Sequence, residues 1–402
     1  MEGALLTLAG EPVSLRYPGA GRGCCMKERY HCSVLRRFYV HNFRCLENFE
    51  LPLAGQPSVL LIGKNGSGKT TVGLALWLLR RIARNVNRVG DLIKPKDLAL
   101  GRVDVPARFE IEVELNAQIY QYAIAFELPP TFKELRVLEE RLVVDGAPVY
   151  TREMAQVHLA RAGRETEAQF RIDWHLVALP IVQERSQADP LFIFKRWLRS
   201  TLVLRPIPSL IKGDSDHETL VPRTSVTNLG AWFSGLLREA PAVYATIDRY
   251  LKQVMPDLKD VKNPLVGKTS RSMEVQFSNS KGSLPVPFQD LSDGEKCFMV
   301  CALVLAAVET NAPLVCFWDE PDNYLAPDEV AQFVMVLRRA FQSGGQFIAT
   351  SHNTEAISSF SNENTLLLYR KSHLEPTIVR RLEDLKVNGD LVSALLRGDV
   401  EP

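Results

Sequence analysis

The sequence predicts an α/β fold with a mixed central sheet, an antiparallel β subdomain and a helical subdomain. Three observations carry that prediction. Ser58 to Ile62 is a short apolar run that ends in a glycine-rich turn and leads into an amphipathic repeat. Strict period-two alternation follows between Phe109 and Phe126. After residue 284, apolar runs alternate with helical patterns, as in a parallel sheet.

Residues 1–32, with Gly19, Gly21 and Gly23 near Pro18, read as an N-terminal extension of low order. Residues 34–43 read as a strand, 47–53 as a second and Ser58–Ile62 as a buried third. The helix after the turn carries Val72, Leu76, Leu79, Ala83 and Val86 on one face and Arg81, Arg84 and Arg88 on another. Phe109, Ile111, Val113 and Leu115 alternate with Glu110, Glu112 and Glu114. Tyr120 to Phe126 answers them, which makes an antiparallel hairpin. Leu138 to Tyr150 is a second hairpin turning at Asp145-Gly146. Residues 190–255 have a helical pattern, broken near 205–228 by a Pro/Gly/Ser/Asp-rich loop, without the sustained heptads of a coiled coil.

Composition narrows the class. Of 402 residues, 46% are apolar and 24% charged, ordinary for a packed chain. Lys+Arg of 48 against Asp+Glu of 47 excludes a tail-driven polycation, although the stretch from Arg80 to Arg108 is locally basic. Phe298 to Val308, the longest apolar run, is too short to cross about 30 Å of hydrocarbon, and no membrane is expected. The opening residues lack a basic n-region and carry Glu2, unlike a signal peptide. Seven cysteines without framework spacing suit a reduced, cytoplasmic chain. Cys24, Cys25, His31 and Cys32 could form a zinc cluster or stay free thiols, while Cys297 and Cys301 suit core packing.

The chemistry is concentrated in a few motifs. Gly63, Lys64, Asn65, Gly66, Ser67, Gly68, Lys69 and Thr70 match G-x-x-x-x-G-K-[ST] between a strand and a helix. Glycines let backbone N–H groups approach phosphate, Lys69 reaches the terminal phosphates and Thr70 holds Mg²⁺. Leu314 to Trp318 is a buried strand ending in Asp319-Glu320. Asp319 there suits Mg²⁺, and Glu320 is placed to polarise water. Leu291-Ser292-Asp293-Gly294-Glu295 opens a long apolar helix. Ser292 reads as its N-cap or as part of a second anion-binding helix end.

Leu291 to Glu295 resembles the signature motif of ABC-type ATPases. Asp319-Glu320-Pro321 resembles their Walker B, Asn323 to Asp328 falls at their D-loop, and Phe347 to His352 resembles their switch strand and H-loop histidine. The resemblance implies a P-loop NTPase of ABC type that binds ATP and Mg²⁺ between two head-to-tail copies. Lys69, Glu320 and His352 would be its catalytic residues. The phosphate loop and Thr71 would bind nucleotide together with Ser292, Gly294 and Glu295 of the opposite copy. Gln183, with Gln187 as the second choice, would be the Q-loop ligand of nucleotide and metal beside Thr70 and Asp319.

Thr70 and Leu291 are separated by 220 residues, a longer interval than transporter ATPases have. The opening 34–53 resembles the RecF/SMC-like branch, which places Phe43 or Arg44 near the base or ribose. Without a coiled coil the chain is similar to stand-alone AAA-type ATPases such as those of the OLD family. The 50 residues after His352 are too few for the Toprim nuclease of that family, so nuclease activity is not expected. Residues 33–402 then form a single split ATPase domain: 33–175 with the phosphate loop and β lobe, 176–283 as a helical arm, 284–402 with signature, Walker B and H-loop. The resemblance further implies a homodimer, or an oligomer of dimers, beside a separate effector protein (a nuclease or toxin) in anti-phage defence. DNA binding through the arginine stripe and an ATP-latched scaffold holding a toxin are the alternatives. The C-terminal stretch 389–402 reads as a docking helix or a packed cap.

Overall fold

The computed structural model describes residues 35–160, 168–311, 314–342 and 344–385. The possible zinc residues Cys24, Cys25, His31 and Cys32, the N-terminal extension and the C-terminal stretch lie outside these.

Strands β1 (Leu35–His41), β2 (Phe49–Pro52), β4 (Ala107–Leu115), β5 (Gln118–Glu127), β6 (Arg136–Val144), β7 (Ala147–Glu153), β8 (Gln156–Leu159) and β9 (Ala168–Arg171) form one antiparallel sheet in the order β2-β1-β4-β5-β6-β7-β8-β9. The β6–β7 turn uses Asp145 at φ 49° and Gly146 at φ 81°, the positive pair that a two-residue hairpin requires. Strands β3 (Ser58–Ile62), β10 (Leu202–Leu204), β16 (Leu314–Trp318), β17 (Gly345–Thr350), β18 (Thr365–Tyr369) and β19 (Ile378–Arg381) form the second sheet, ordered β10-β16-β17-β3-β18-β19. Its pairings are parallel except at the β19 edge. A smaller sheet joins β11 (Leu258–Lys262), β14 (Glu274–Asn279) and β15 (Gly282–Pro287), and β12 (Leu265–Val266) pairs with β13 (Ser270–Arg271).

The helices are α1 (Lys69–Ala83), α2 (Val89–Leu92), α3 (Pro190–Ser200), α4 (Leu229–Glu239), α5 (Tyr244–Val254), α6 (Asp293–Asn311), α7 (Pro327–Gln342) and α8 (Thr354–Ser358). Alternation along the parallel strands divides the interior. Val59, Leu61, Val315, Phe317 and Ile348 face α1, α3 and the antiparallel sheet. Leu60, Ile62, Cys316, Trp318 and Phe347 face α4 to α7. These strands are buried on both faces, which explains their unbroken apolar runs. Helix α1 lies close to β16: a Cβ at Gly73 would meet the Phe317 ring at 2.4 Å.

Three expectations are corrected. Helix α1 stops at Ala83, with Asn85 left-handed at φ 68°, so Val86 and Arg88 are not on it. The arginine stripe is therefore discontinuous. Arg81 lies over the Trp77 ring and donates to the Asp91 carbonyl, and Arg88 pairs with Glu134 at 3.3 Å. The segment 176–283 is also not purely helical, since β10 runs at the edge of the parallel sheet and β11 to β14 follow. Leu202–Leu204 is too short to show a period, and only its pairing with Cys316–Trp318 makes it a strand. The expected Cys297 and Cys301 core positions are occupied as such: both thiols are buried.

A buried polar knot joins the antiparallel sheet to the segment leading into α3. The fully buried Glu140 carboxyl accepts from Tyr122 Oη at 3.0 Å, Tyr150 Oη at 2.8 Å and the amides of Ala178 and Leu179 at 2.7 and 2.8 Å. Arg152, also buried, stands 3.6 Å away and donates to the carbonyls of Met154, Leu176 and Asp173. Glu140→Ala strands that guanidinium and is expected to destabilise the protein by about 3–5 kcal/mol in urea unfolding. Tyr122→Phe, which removes one hydrogen bond to the carboxyl, is expected to cost about 1.5–3 kcal/mol.

Candidate functional site

The carboxyl ends of β3, β16, β17 and β18 meet at one edge of the parallel sheet, where open α/β sheets present their ligand crevices. The loop from Gly63 to Gly68 leaves β3 and enters α1 there. Gly63, at φ 147°, packs so tightly that a Cβ would lie 2.1 Å from the Leu368 carbonyl oxygen. Gly68, at φ 102°, admits no Cβ either, because Thr377 Oγ1 would be 2.8 Å away. The loop thus exposes backbone where side chains would stand. Thr377 Oγ1 donates to the Ser67 carbonyl at 2.9 Å and pins the loop from the β19 side.

Lys69 turns its ammonium back onto the loop and donates to the carbonyls of Gly63 at 2.7 Å and Lys64 at 3.3 Å. Burial lowers its pKa, and the nearby Glu320 and Asp319 oppose that shift. Thr70 Oγ1 donates to Asp319 Oδ2 at 2.8 Å, and Thr350 Oγ1 donates to Asp319 Oδ1 at 2.7 Å. The Glu320 amide donates in turn to Thr350 Oγ1 at 2.9 Å. One buried carboxylate therefore ties α1, β16 and β17 together.

Glu320 sits at φ 51°, a strained conformation for a non-glycine residue and one found at functional positions. Its Oε2 accepts from Asn323 Nδ2 at 2.7 Å, and its Oε1 lies 3.4 Å from His352 Nε2. Burial depresses the His352 pKa, and the Lys69 charge adds to that. Ser351 Oγ donates to Asp322 Oδ2 at 2.6 Å, while burial raises the Asp322 pKa.

Two cavities flank the loop and share Asn65, Gly66 and Arg370. One, of about 480 Å³, includes Gly63, Ser67 and His352 in its walls. The other, of about 340 Å³, is lined by Arg44, Gly68, Lys69, Thr70, Thr71 and Glu320, among others. Arg44 is held there by Asp97 at 3.0 Å. The residues suit a polyphosphate and Mg²⁺. Ser67 Oγ is buried without a hydrogen-bond partner, and the cradle has no room for a Cβ at either glycine. Among the described residues no cluster of three His, Cys, Asp or Glu forms a dedicated metal cage. Mg²⁺ needs none, since one or two carboxylates with phosphate and water oxygens suffice.

The Q-loop candidates expected at the site stand elsewhere, and the residues expected from the opposite copy lie outside these cavities in their own chain. Gln183 is exposed and lines neither cavity, because Lys195 Nζ binds the Val182 carbonyl at 2.6 Å and Glu184 at 2.9 Å and so ties that loop to α3. Gln187 lines a different cavity, between α1 and α3. Ser292, Gly294 and Glu295 also line neither phosphate cavity. Ser292 caps α6: its Oγ donates to Glu295 Oε2 at 2.7 Å, and the Ser292 amide donates to the same oxygen at 2.7 Å. Sequence reasoning missed Arg205, whose Nε lies 3.6 Å from Asp319 Oδ2, and Thr377 and Arg370. No motif marks them. Thr350 lies within the Phe347–His352 motif, which assigns it no role, yet it holds Asp319.

A family model described as "AAA domain, putative AbiEii toxin, Type IV TA system" matches residues 58–358, and the chain belongs to that family. It is an AAA-type ATPase domain with a partial resemblance to an OLD-family protein. The OLD nuclease of Thermus scotoductus is 48% identical over 46 residues, 11% of this chain and 8% of the relative. The chromosome partition protein Smc of Chlorobaculum tepidum is 30% identical over 79 residues, 20% of this chain and 7% of the relative. The matched parts are thus under a tenth of each curated relative's length. Among solved structures, the SMC head bound to the C-winged helix domain of ScpA has a TM-score of 0.47 at 14% identity, covering 87% of this chain and 99% of that one. The SMC head domain from Thermotoga maritima has a TM-score of 0.45 at 14% identity, covering 86% and 98%. No helix among the described residues is long and apolar enough to cross a membrane.

The His352 environment gives a direct test. Its imidazole is expected to titrate below the ordinary 6.5 in an NMR pH series, and Lys69→Met to move that midpoint upward. With a depressed folded-state value, the stability linked to this group is fully present above the unfolded value. It is lost as pH falls through the folded one.

Proposed function

We propose that this AAA-family chain binds and hydrolyses ATP between two head-to-tail copies and uses the closed and open states to control a separate effector protein in the cytoplasm. The observation that carries the reading is the buried chain Thr70–Asp319–Thr350 beside Glu320 and His352, with Ser292 exposed and outside the walls of its own phosphate cavities. A site that uses Ser292 needs a second copy. The loop amides and Lys69 would neutralise the phosphates, and Arg44, which lines the same cavity, would contact the base or ribose. Thr70 and Asp319 would hold Mg²⁺, which would supply neutralisation of phosphate charge.

In hydrolysis a water oxygen forms the new bond to the γ-phosphorus as the bond to the bridging oxygen breaks. Glu320, steadied by Asn323, accepts a hydrogen bond from that water and polarises it. His352, kept neutral by its surroundings, would donate through an imidazole N–H to the γ-phosphoryl oxygen. Release of phosphate removes the charge that holds the two copies together, an order–disorder switch set by one group. The family description, which names a toxin and a Type IV toxin–antitoxin system, favours a defence role with a nuclease or toxin as the effector. The duplex-binding alternative loses its main motive, because Arg81 and Arg88 are engaged within the chain.

Glu320→Gln is expected to retain ATP, to elute as a larger species in gel filtration with ATP, and to turn over about 10²–10⁴-fold more slowly. Lys69→Ala is expected to lose both nucleotide retention and the larger species. A Glu320→Gln variant that stays monomeric with ATP, beside a Lys69→Ala variant that still hydrolyses it, overturns the mechanism.

A further inference from the structure

A third cavity, of about 830 Å³, lies at the other end of α1. The phosphate loop is at the amino end of this helix, and Arg80 in its last turn lines the cavity, about 16 Å away along the axis. Leu202 and Leu314, the first residues of β10 and β16, lie in the same walls. The parallel sheet thus has the phosphate crevice at its carboxyl edge and this cavity at its amino edge.

The charges here are all of one sign. Arg80, Arg196 and Arg199 line the cavity, and among the described residues no Asp or Glu does. Arg80 is only 3% exposed, its Nε is buried without a partner, and among the described residues the side chain makes no ion pair. Burial first, and then the neighbouring Arg84, push this guanidinium down to about 10, so it is still charged at neutral pH. Arg196 and Arg199 are one turn apart on α3, and Arg199 spends its Nε on the Ala83 carbonyl at 3.1 Å. Glu184, the carboxylate that feels Arg199, is paired with Lys195 at 2.9 Å. A buried charge without a counter-charge is costly, and nothing among the described residues offsets this one.

The remaining walls are apolar or aromatic. Phe192, Ile193, Trp197 and Leu220 contribute, and Trp197 Nε1 is a second buried donor without a partner. Two unsatisfied donors beside two further arginines ask for a multiply charged acceptor, and a guanidinium fork matches the oxygens of a phosphoryl group. The volume lies in the range of small-molecule sites and exceeds what a bare inorganic anion fills.

We propose that this cavity binds an organic phosphate of roughly nucleotide size. Its phosphoryl group would lie on Arg80, Arg196 and Arg199, and its flat apolar body against Phe192 and Trp197. The site is separate from the phosphate loop and independent of the ATPase reading.

Phenyl phosphate is the probe, with inorganic phosphate as the anion lacking a body, in calorimetry and Trp fluorescence on the full chain. Lys69→Ala serves as the background that silences the phosphate loop. One saturable phenyl phosphate site is expected in Lys69→Ala, with inorganic phosphate at least tenfold weaker. Adding Arg80→Met is expected to weaken phenyl phosphate at least tenfold. The exposed pair Arg196→Ala/Arg199→Ala, which leaves the core intact, is expected to weaken it likewise. Absence of saturable binding in Lys69→Ala, or binding there that neither set of arginine changes affects, overturns the proposal. Equal affinity for inorganic phosphate removes the apolar body from it.

Discussion

The buried Asp319 carboxylate is the interaction on which the site depends. It accepts from Thr70 at the start of α1 and from Thr350 at the end of β17, and it stands at the end of β16. A carboxylate withdrawn from water is tolerable only with such donors. The same two bonds therefore stabilise the charge and set the phosphate loop, the acidic strand end and β17 in register. Glu320 inherits its place from this arrangement, because its amide donates to the same Thr350 hydroxyl that holds Asp319.

That junction is delivered by a sheet buried on both faces. Side chains alternate between two cores, one shared with the antiparallel sheet and one with α4 to α7. Gly73 brings α1 onto Phe317 of β16, so the helix carrying Lys69 and the strand carrying Asp319 share a close contact one face below the site. Among the described residues, the long interval between the phosphate loop and α6 is spent on the antiparallel sheet, β10 and the helices around the second core. It is not a projecting coiled coil: α3, α4 and α5 have 11 residues each.

Charge is distributed with purpose across the two ends of α1. At its amino end Lys69 faces carboxylates and loop carbonyls. At its carboxyl end Arg80 faces other arginines and apolar walls, with no acid among the described lining residues. The near-zero net charge of the chain hides this contrast, because opposite charges balance in the sum while remaining apart in space.

Much of the framework was legible in the sequence because it is local. The glycine-rich turn between Ile62 and Lys69, the alternation of β4 and β5 and the Asp145-Gly146 turn each declare themselves within a few residues. So do the apolar run and acid pair at 314–320. What escaped rests on distant pairing. Leu202–Leu204 is a strand only because β16 lies beside it, and Gln183 is held off the phosphate cavities by Lys195 on α3. Arg205 beside Asp319 and Thr377 on the loop carbonyl have no motif, since each acts across more than 100 positions of chain. By itself the sequence determined which residue types could bind phosphate and where strands and helices begin. Only the tertiary structure decided which of them share a site, because backbone periodicity is set by neighbours in sequence whereas hydrogen-bond partners and counter-charges are set by neighbours in space.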